Sequence, residues 1–588
     1  MLHRVKYLFL SLLILSPFVY SQTINNIEIS GNRIFSRGQV LNWSGVNIGE
    51  EIYPGIIDSI KSREAVKFSE YGYFHSSFEG TEIIESEDTG KVDLIINIAE
   101  GGPTYLKNIF FNNASHIDSL NILPSYDFLT NNIFNRFELE ASISSSITYY
   151  ENNGFPFSRI SISSINFYSD SSQEDYYADI YLDLDHGKPS VIDEIEITGN
   201  TKTKRDVILR ELRVTPGEEY SQNLVEEIPY RLNRLGFFQP VQTPEFYINS
   251  RNKGVLSIKV KERQTNNFDG ILGYIPGNTQ NESGYFTGLA NVSLRNLFGT
   301  GRAAAIRWQK LNRSSQELEL KYLEPWLFGF PINITAGLFQ RKQDTTYVQR
   351  NINLSLQYLA TEDISASFTF STESIIPSDT DTLSFTVYNS STISTGLNFK
   401  YDTRDDPYSS TKGLLFISAY SFSRKKINGP QKFISPGLAT DIDLQRIELE
   451  FKIYYLLFQR QVIVLGLNGK ELRGSNFDLS DLYRLGGTNS LRGYREDQFL
   501  GSRILWSNLE YRFLLSQRSF GFLFFDTGYY FRKAEPQNNI YKAEDFKIGY
   551  GLGINLETSL GVIGVSFGFG KGDSFSDGKI HFGIVNEF

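Results

Sequence analysis

The sequence predicts three small α+β repeat domains in a row, followed by a transmembrane antiparallel β-barrel. Three observations predict it. A signature recurs at a fixed spacing through the first half. The second half alternates with strand period. The composition is rich in aromatics, with 46 Phe and 34 Tyr in 588 residues, residue types that suit pleated strands and membrane interfaces.

The start reads as a targeting segment, expected to span 1–21. Arg4 and Lys6 supply its positive end, and Tyr7 to Val19 form an apolar run shorter than the roughly 20 residues a membrane helix needs. Val19 and Ser21 stand where a signal peptidase reads, so Gln22 is expected to begin the mature chain. No later segment is comparably apolar, so a membrane location requires a closed barrel.

The repeat comes next. Gly72-Tyr73-Phe74, Gly154-Phe155-Pro156 and Gly236-Phe237-Phe238 recur with a period of 82 residues. Each copy follows a helical pattern and precedes an alternating one. In the third copy Leu224, Ile228, Leu232 and Leu235 share a helical face, and Gly236 is a natural stop. The openings also correspond: Ile27-Glu28-Ile29-Ser30-Gly31-Asn32 and Ile195-Glu196-Ile197-Thr198-Gly199-Asn200, with Ile109 to Asn113 a looser middle copy. The closing strands are expected at Asp93 to Ile98, Asp179 to Leu184 and Val255 to Lys261. Each unit therefore reads β-α-α-β-β, giving domains at 22–102, 103–188 and 189–264.

From 265 to 588 the pattern is strands joined by turns. Ile352, Leu354, Leu356 and Tyr358 alternate with polar residues, as do Ile447 to Tyr455, Leu505 to Phe513 and Ile548 to Leu556. A soluble sandwich and a membrane barrel give the same alternation, with opposite faces in water. The leader, the aromatics and a last segment placing Ile580, Phe582, Ile584 and Phe588 on one face favour the membrane. At about 20 residues per strand with its connection, the region holds about 16 strands.

Composition excludes several functions. The formal net charge of −10 argues against nucleic acid, and the absence of cysteine removes disulfides and thiolate metal sites. His3, His75, His116, His186 and His581 are scattered without metal-ligand spacing. Gly564 to Gly570 with Lys571 lacks the Ser or Thr of a phosphate loop, and Gly549, Gly551 and Gly553 alternate within a strand pattern. No catalytic residue, metal or cofactor is expected.

The β-α-α-β-β order, with Gly-Asn after the first strand and Gly-aromatic after the second helix, resembles POTRA (polypeptide-transport-associated) domains. Val191 to Arg263, with its Thr215-Pro216-Gly217 turn, carries the likeness best. The segment Leu485-Gly486-Gly487-Thr488-Asn489-Ser490-Leu491-Arg492-Gly493-Tyr494, followed by Phe499-Leu500-Gly501, resembles the inward-folded loop of the BamA/TamA-type outer-membrane assembly and translocation superfamily. Further matches run in family order: Asn296 to Gly301, Tyr322 to Trp326, Asp402 to Pro407 with Gly413, and Phe525-Asp526-Thr527-Gly528. Three repeats before the barrel are similar to the TamA layout more than to the usual five of BamA.

The resemblance implies a loop tip of Arg492, Gly493 and Tyr494 inside the barrel. An arginine there needs a fixed anion. If Leu523, Phe525, Thr527 and Tyr529 face lipid, Asp526 faces inward, and by the same phase so does Glu510 on the preceding strand. It also implies a seam where the first strand, with Phe268, Gly270 and Gly273, meets the last, with Phe582, Gly583 and Phe588. The expected partners are unfolded outer-membrane or secreted polypeptides, outer-membrane lipid and envelope accessory proteins. The expected location is the outer membrane, with the repeats in the periplasm. Two alternatives stand beside assembly: a dedicated secretion pore of the same superfamily, and a passive porin or surface adhesin.

Overall fold

In each N-terminal domain helical segments and an edge strand lie between the first strand and the last, which lets those two strands pair in parallel. The computed structural model describes residues 22–585, except 79, 89, 116–119, 171–174, 276–283, 311, 345, 378–386, 407–408, 435, 517, 537–539 and 559–560. The leader and Phe588 lie outside the described residues. Two compact units result: the described residues to Asp193 with Gly217–Leu224, and Glu194–Pro216 with Val225 onward.

The first domain has strands Thr23–Ser30, Glu82–Glu85 and Lys91–Asn97, with Lys91–Asn97 in the middle, parallel to the first and antiparallel to the second. The second repeats this with Thr104–Asn112, Arg159–Asp170 and a central Asp175–Asp185, plus the short edge strand Asn132–Ile133. The third has Glu194–Thr198, Glu245–Ile248 and a central Gly254–Lys259. The central strands bury what the alternation marks: Leu94 and Ile96, Ile180 and Leu182, Leu256 and Ile258.

The helices cover one face of each sheet. Ile56–Glu70 buries Ile56, Ile60, Glu64 and Phe68, a four-residue spacing that makes one stripe. In the third domain Gln222–Arg234 buries Val225, Ile228 and Leu232. Val225 thus takes the place the sequence pattern gives to Leu224, a one-residue rotation of the face. In the second domain two 3-10 turns, Leu123–Ser125 and Asp127–Leu129, precede the helix Arg136–Glu151.

The Gly-Asn signature has a physical cause. Gly31 and Gly199 have φ of +82° and +88°, and a Cβ at either would lie 1.9 Å from the carbonyl oxygen of Ile98 or Val260. A carboxylate then fastens the turn. Glu100 accepts from the Ile34 and Phe35 amides, and Glu262 from the Lys202 and Thr203 amides and the Thr201 hydroxyl. Burial would raise Glu262, but these donors outweigh it and hold its pKa at about 2. Arg37 and Arg205 complete the match by donating to the Ile27 and Ile195 carbonyls.

The second half is one antiparallel sheet of sixteen strands in chain order. They are β1 Asn267–Ile275, β2 Tyr285–Leu297, β3 Arg302–Lys310 and β4 Gln316–Glu324. Then come β5 Ile332–Gln343, β6 Tyr347–Leu359, β7 Ile364–Pro377 and β8 Asn389–Asp402. β9 Gly413–Gly429, β10 Asp441–Phe458 and β11 Gln461–Arg473 are followed, after a long loop, by β12 Arg503–Leu514. The last are β13 Phe520–Arg532, β14 Ala543–Thr558, β15 Gly561–Gly570 and β16 Lys579–Val585.

The faces decide between sandwich and barrel. Ile352, Leu354, Leu356 and Tyr358 are exposed, as are Leu505, Leu509, Tyr511 and Phe513, and Tyr550, Leu552, Ile554 and Leu556. The charged face lines a cavity of about 990 Å³ to which Arg307 of β3, Arg341 of β5, Lys470 of β11 and Lys579 of β16 all contribute. A sheet apolar outside and charged within belongs in lipid. No helix of the described residues is long and apolar enough to cross a membrane. Among the described residues no ladder joins β1 to β16, so these strands are the two edges of the sheet.

Candidate functional site: an inward loop across five strands

The connection from β11 to β12 folds back into the barrel. A short hairpin, Tyr483–Leu485 with Phe499–Gly501, forms its neck. Leu485 and Leu491 are fully buried with Ile504 of β12, against Trp506 and Tyr530. Within the loop, Glu496 accepts from both the amide and the hydroxyl of Thr488, each at 2.7 Å. Apolar burial holds the neck and hydrogen bonds shape the tip.

The structure brings Arg492, Asp526 and Glu510 together. Arg492 donates from Nε and its own backbone amide to Asp526 Oδ2, at 2.8 and 3.0 Å, and from Nη2 to Oδ1 at 2.8 Å. Its Nη1 donates to Glu510 Oε1 at 2.6 Å. The other oxygen of Glu510 is held by Arg512 at 2.7 Å. Asp526 is completely buried. The guanidinium also lies 3.9 Å from the Phe524 ring centre. A planar cation gripped on two edges and covered on one face has one available pose.

Gly493 and Tyr494 are seated by the next strands. Gly493 has φ +89°, and a Cβ there would meet the Phe569 carbonyl oxygen of β15 at 2.4 Å. On β14, a Cβ at Gly549 would lie 1.9 Å from the Arg492 carbonyl oxygen. Gly549 therefore makes room for the loop backbone, while Gly551 and Gly553 make room for the Phe524 and Phe522 rings of β13. Tyr494 donates its hydroxyl proton to the Ile548 carbonyl at 3.0 Å and accepts from the Lys571 amide at 3.2 Å.

One residue escaped the sequence reading. His581 of β16 is buried, and its Nε2 accepts from the Gly493 amide at 2.9 Å. A search for metal-ligand spacing passes over it. The signal that finds it is phase: His581 lies between the exposed Ile580 and Phe582, so it points inward. Of the seam residues, Phe268, Gly270 and Gly273 lie on β1, and Phe582 and Gly583 on β16. Gly583 faces the loop, with Thr488 3.1 Å from where its Cβ would stand.

Two further clusters surround this loop. Beyond the neck, Lys425 of β9 reaches Asp481 at 2.6 Å and Asp478 at 3.2 Å, all three buried beside an apolar cluster that includes Phe477 and Leu482. At the opposite end of the barrel the turns matched in family order meet the third domain. The Gly299 carbonyl accepts from the Lys204 amide at 2.9 Å, and Trp326 Nε1 donates to Glu211 Oε1 at 2.7 Å. Arg234 donates to Asp363 at 2.9 Å and to the Asp402 carbonyl at 3.0 Å. Burial pushes the Glu211 carboxyl up, against the pull of Arg210.

Two family models match this chain, and known proteins are similar to it. A model described as the Omp85 superfamily domain matches residues 296–588, and the POTRA model, a surface antigen variable number repeat, matches 22–101 and 190–263. A curated relative, the outer membrane protein assembly factor BamA of Neisseria meningitidis serogroup B, is 23% identical over 527 residues, covering 82% of this chain. The protein of that name from Nitratidesulfovibrio vulgaris is 23% identical over 467 residues, covering 74% of this chain. The chain spans 63% and 55% of the lengths of these relatives. Among solved structures, BamA from Haemophilus ducreyi lacking POTRA domains 1–3 is 16% identical with a TM-score of 0.47, covering 82% of this chain and 98% of that one. CdiB from Escherichia coli is 13% identical with a TM-score of 0.48, covering 90% and 98%.

Proposed function

The chain belongs to the Omp85 superfamily, and from that premise we propose that it is an assembly and translocation factor for outer-membrane or secreted polypeptides. It is an outer-membrane protein whose N-terminal domains lie in the periplasm. The barrel receives unfolded polypeptide from those domains and passes it into or across the membrane at the β1–β16 seam, without covalent chemistry and without a metal or cofactor.

The observation that carries this reading is the pair of sheet edges. β1 and β16 each have one ladder among the described residues, to β2 and to β15, so each keeps a row of backbone donors and acceptors for a guest strand. The periplasmic domains offer the same chemistry on a smaller scale. Glu82–Glu85, Arg159–Asp170 and Glu245–Ile248 are edge strands, to which an extended client can add without any demand on its sequence.

The chain has no cysteine, so the test uses its natural background. Cysteines placed on β1 and β16 are joined by a bifunctional reagent in cells that depend on this protein. Loss of newly assembled outer-membrane proteins in the locked form, restored by cleaving the linker, is expected. Normal assembly of every client through a locked seam would sink lateral entry. Loss of one secreted protein with outer-membrane proteins intact would move the reading to a dedicated secretion pore.

A further inference from the structure

The loop tip touches five consecutive strands. Arg492 binds Glu510 of β12 and Asp526 of β13, Tyr494 reaches the Ile548 carbonyl of β14, Gly493 lies on Phe569 of β15, and the Gly493 amide donates to His581 of β16. From these contacts we infer that the tip is a clasp for the terminal strand. It ties β16, through His581, to the buried ion group on β12 and β13, so that β16 can leave its place only when the tip lifts.

The chemistry of the bond supports the assignment. An imidazole that accepts at Nε2 is neutral and carries its proton on Nδ1. The donor is a backbone amide in a turn that glycine makes possible, so no side chain at 493 intervenes. A buried amide that loses its acceptor is costly, which makes the contact stronger in effect than an exposed bond of equal length.

Among the described residues β16 has a single ladder, with glycine gaps in it. Its ladder to β15 runs from Val562↔Val585 to Gly568↔Lys579, and Gly564 and Gly568 on β15 and Gly583 on β16 give no side-chain packing across it. The tip adds one hydrogen bond from the lumen side, Gly493 to His581, and the Thr488 methyl fills the space beside Gly583. Because Arg492 and Gly493 are adjacent, the charge group that seats the tip also positions the amide that holds His581. Seating of the loop and retention of the seam strand are then one two-state element, and coupling between them must be reciprocal.

His581 is then a positioning residue in the proposed seam mechanism, and the clasp rests on that reading for its biological meaning. Its test needs no client, so its failure would leave the assembly proposal standing. The full chain is placed in lipid vesicles and amide hydrogen exchange is followed in two segments, the loop 486–496 and β16. His581→Ala is expected to speed exchange in both segments by roughly 5-fold, the scale of one buried hydrogen bond. Arg492→Ala is expected to speed β16 as well, although Arg492 makes its ion pairs on β12 and β13. Combining the two changes should add little in β16. His581→Gln keeps an acceptor at the right reach and should restore much of the protection in both segments. If His581→Ala does not fold, Arg492→Lys and His581→Gln still read the coupling. Faster exchange in the loop of an Arg492 variant with β16 unchanged would overturn the clasp. So would a His581→Ala effect confined to β16, because a merely structural histidine stabilises only its own strand.

Discussion

At the scale of single residues, two buried charged groups have opposite consequences. Arg492 answers two carboxylates, and its removal leaves Asp526 and half of Glu510 buried without a cation. Arg492→Ala should cost about 3–5 kcal/mol, as other broken buried pairs do, seen as a lower temperature at which the barrel loses its compact form on unheated gels. An exchange of charge, Arg492→Glu with Asp526→Arg, should recover part of the loss, and no recovery would show that shape rather than charge seats the tip. Glu64 is the reverse case, an acid on the core stripe of its helix with neither oxygen hydrogen-bonded. Burial raises its pKa to about 7, against the lowering pull of Arg63. The unfolded chain ionises near 4.5 and the folded one near 7, so the first domain loses stability as pH rises between those values. The whole span amounts to roughly 3 kcal/mol. Glu64→Gln should therefore protect the Leu94 and Ile96 amides from exchange at pH 8 and change little at pH 4. Equal effects at both pH values would remove the buried acid as the cause.

At the scale of elements, the β11–β12 loop is held at two places by different physics. Near the tip the fastening is Arg492. Near the neck it is Lys425 with Asp478 and Asp481, at the barrel end away from the third domain. Lys425→Met should strand two buried carboxylates and open that end, read as larger single-channel conductance in planar bilayers with exchange at 492–494 unchanged. Replacing all three by apolar residues of similar size should return conductance toward normal, since a dry apolar cluster can substitute for a buried ion group. Failure of the triple change to restore closure would mean the ions specify the pose and not merely fill it. The tip was legible in the sequence because Leu485 to Tyr494 resembles the inward-folded loop of the superfamily and because phase sends Asp526 and Glu510 inward. The Lys425 cluster was not. It joins residues more than fifty positions apart, Asp478 and Asp481 sit in an irregular segment with no period to read, and a lysine on a strand looks like any lumen charge. His581 was hidden similarly, since its partner is a backbone amide that has no letter in the sequence.

At the scale of the molecule, the 82-residue period foretold the repeats and the alternation foretold the strands, because burial acts on every second or every third to fourth residue and leaves that period behind, while the leader and the aromatic residues chose barrel over sandwich. How the third domain meets the barrel left no such trace. Its contacts come from turn tips, Gly299, Trp326 and Asp363, and from helix residues Glu211 and Arg234, one or two from each element. Turn residues are read as turn formers, and their docking role appears only when two remote segments meet. This junction is testable. Arg231 and Glu362 form an ion pair at 2.8 Å, and their side chains are 11% and 23% exposed, so added salt should screen them weakly. Charge reversal acts within the contact itself. Arg234→Glu places a carboxylate against Asp363 and the Asp402 carbonyl, and should speed exchange in the Arg205–Leu212 helix and the 296–301 turn several-fold. Raising salt to about 1 M, where screening reaches within about 3 Å, should do much less. The swap Arg234→Glu with Asp363→Arg should restore part of the protection. If high salt alone loosens the domain as far as the reversal does, the junction is held by long-range attraction between charged faces. If neither perturbs it, the Trp326–Glu211 bond and the backbone bond from Lys204 to Gly299 suffice to hold the third domain in place.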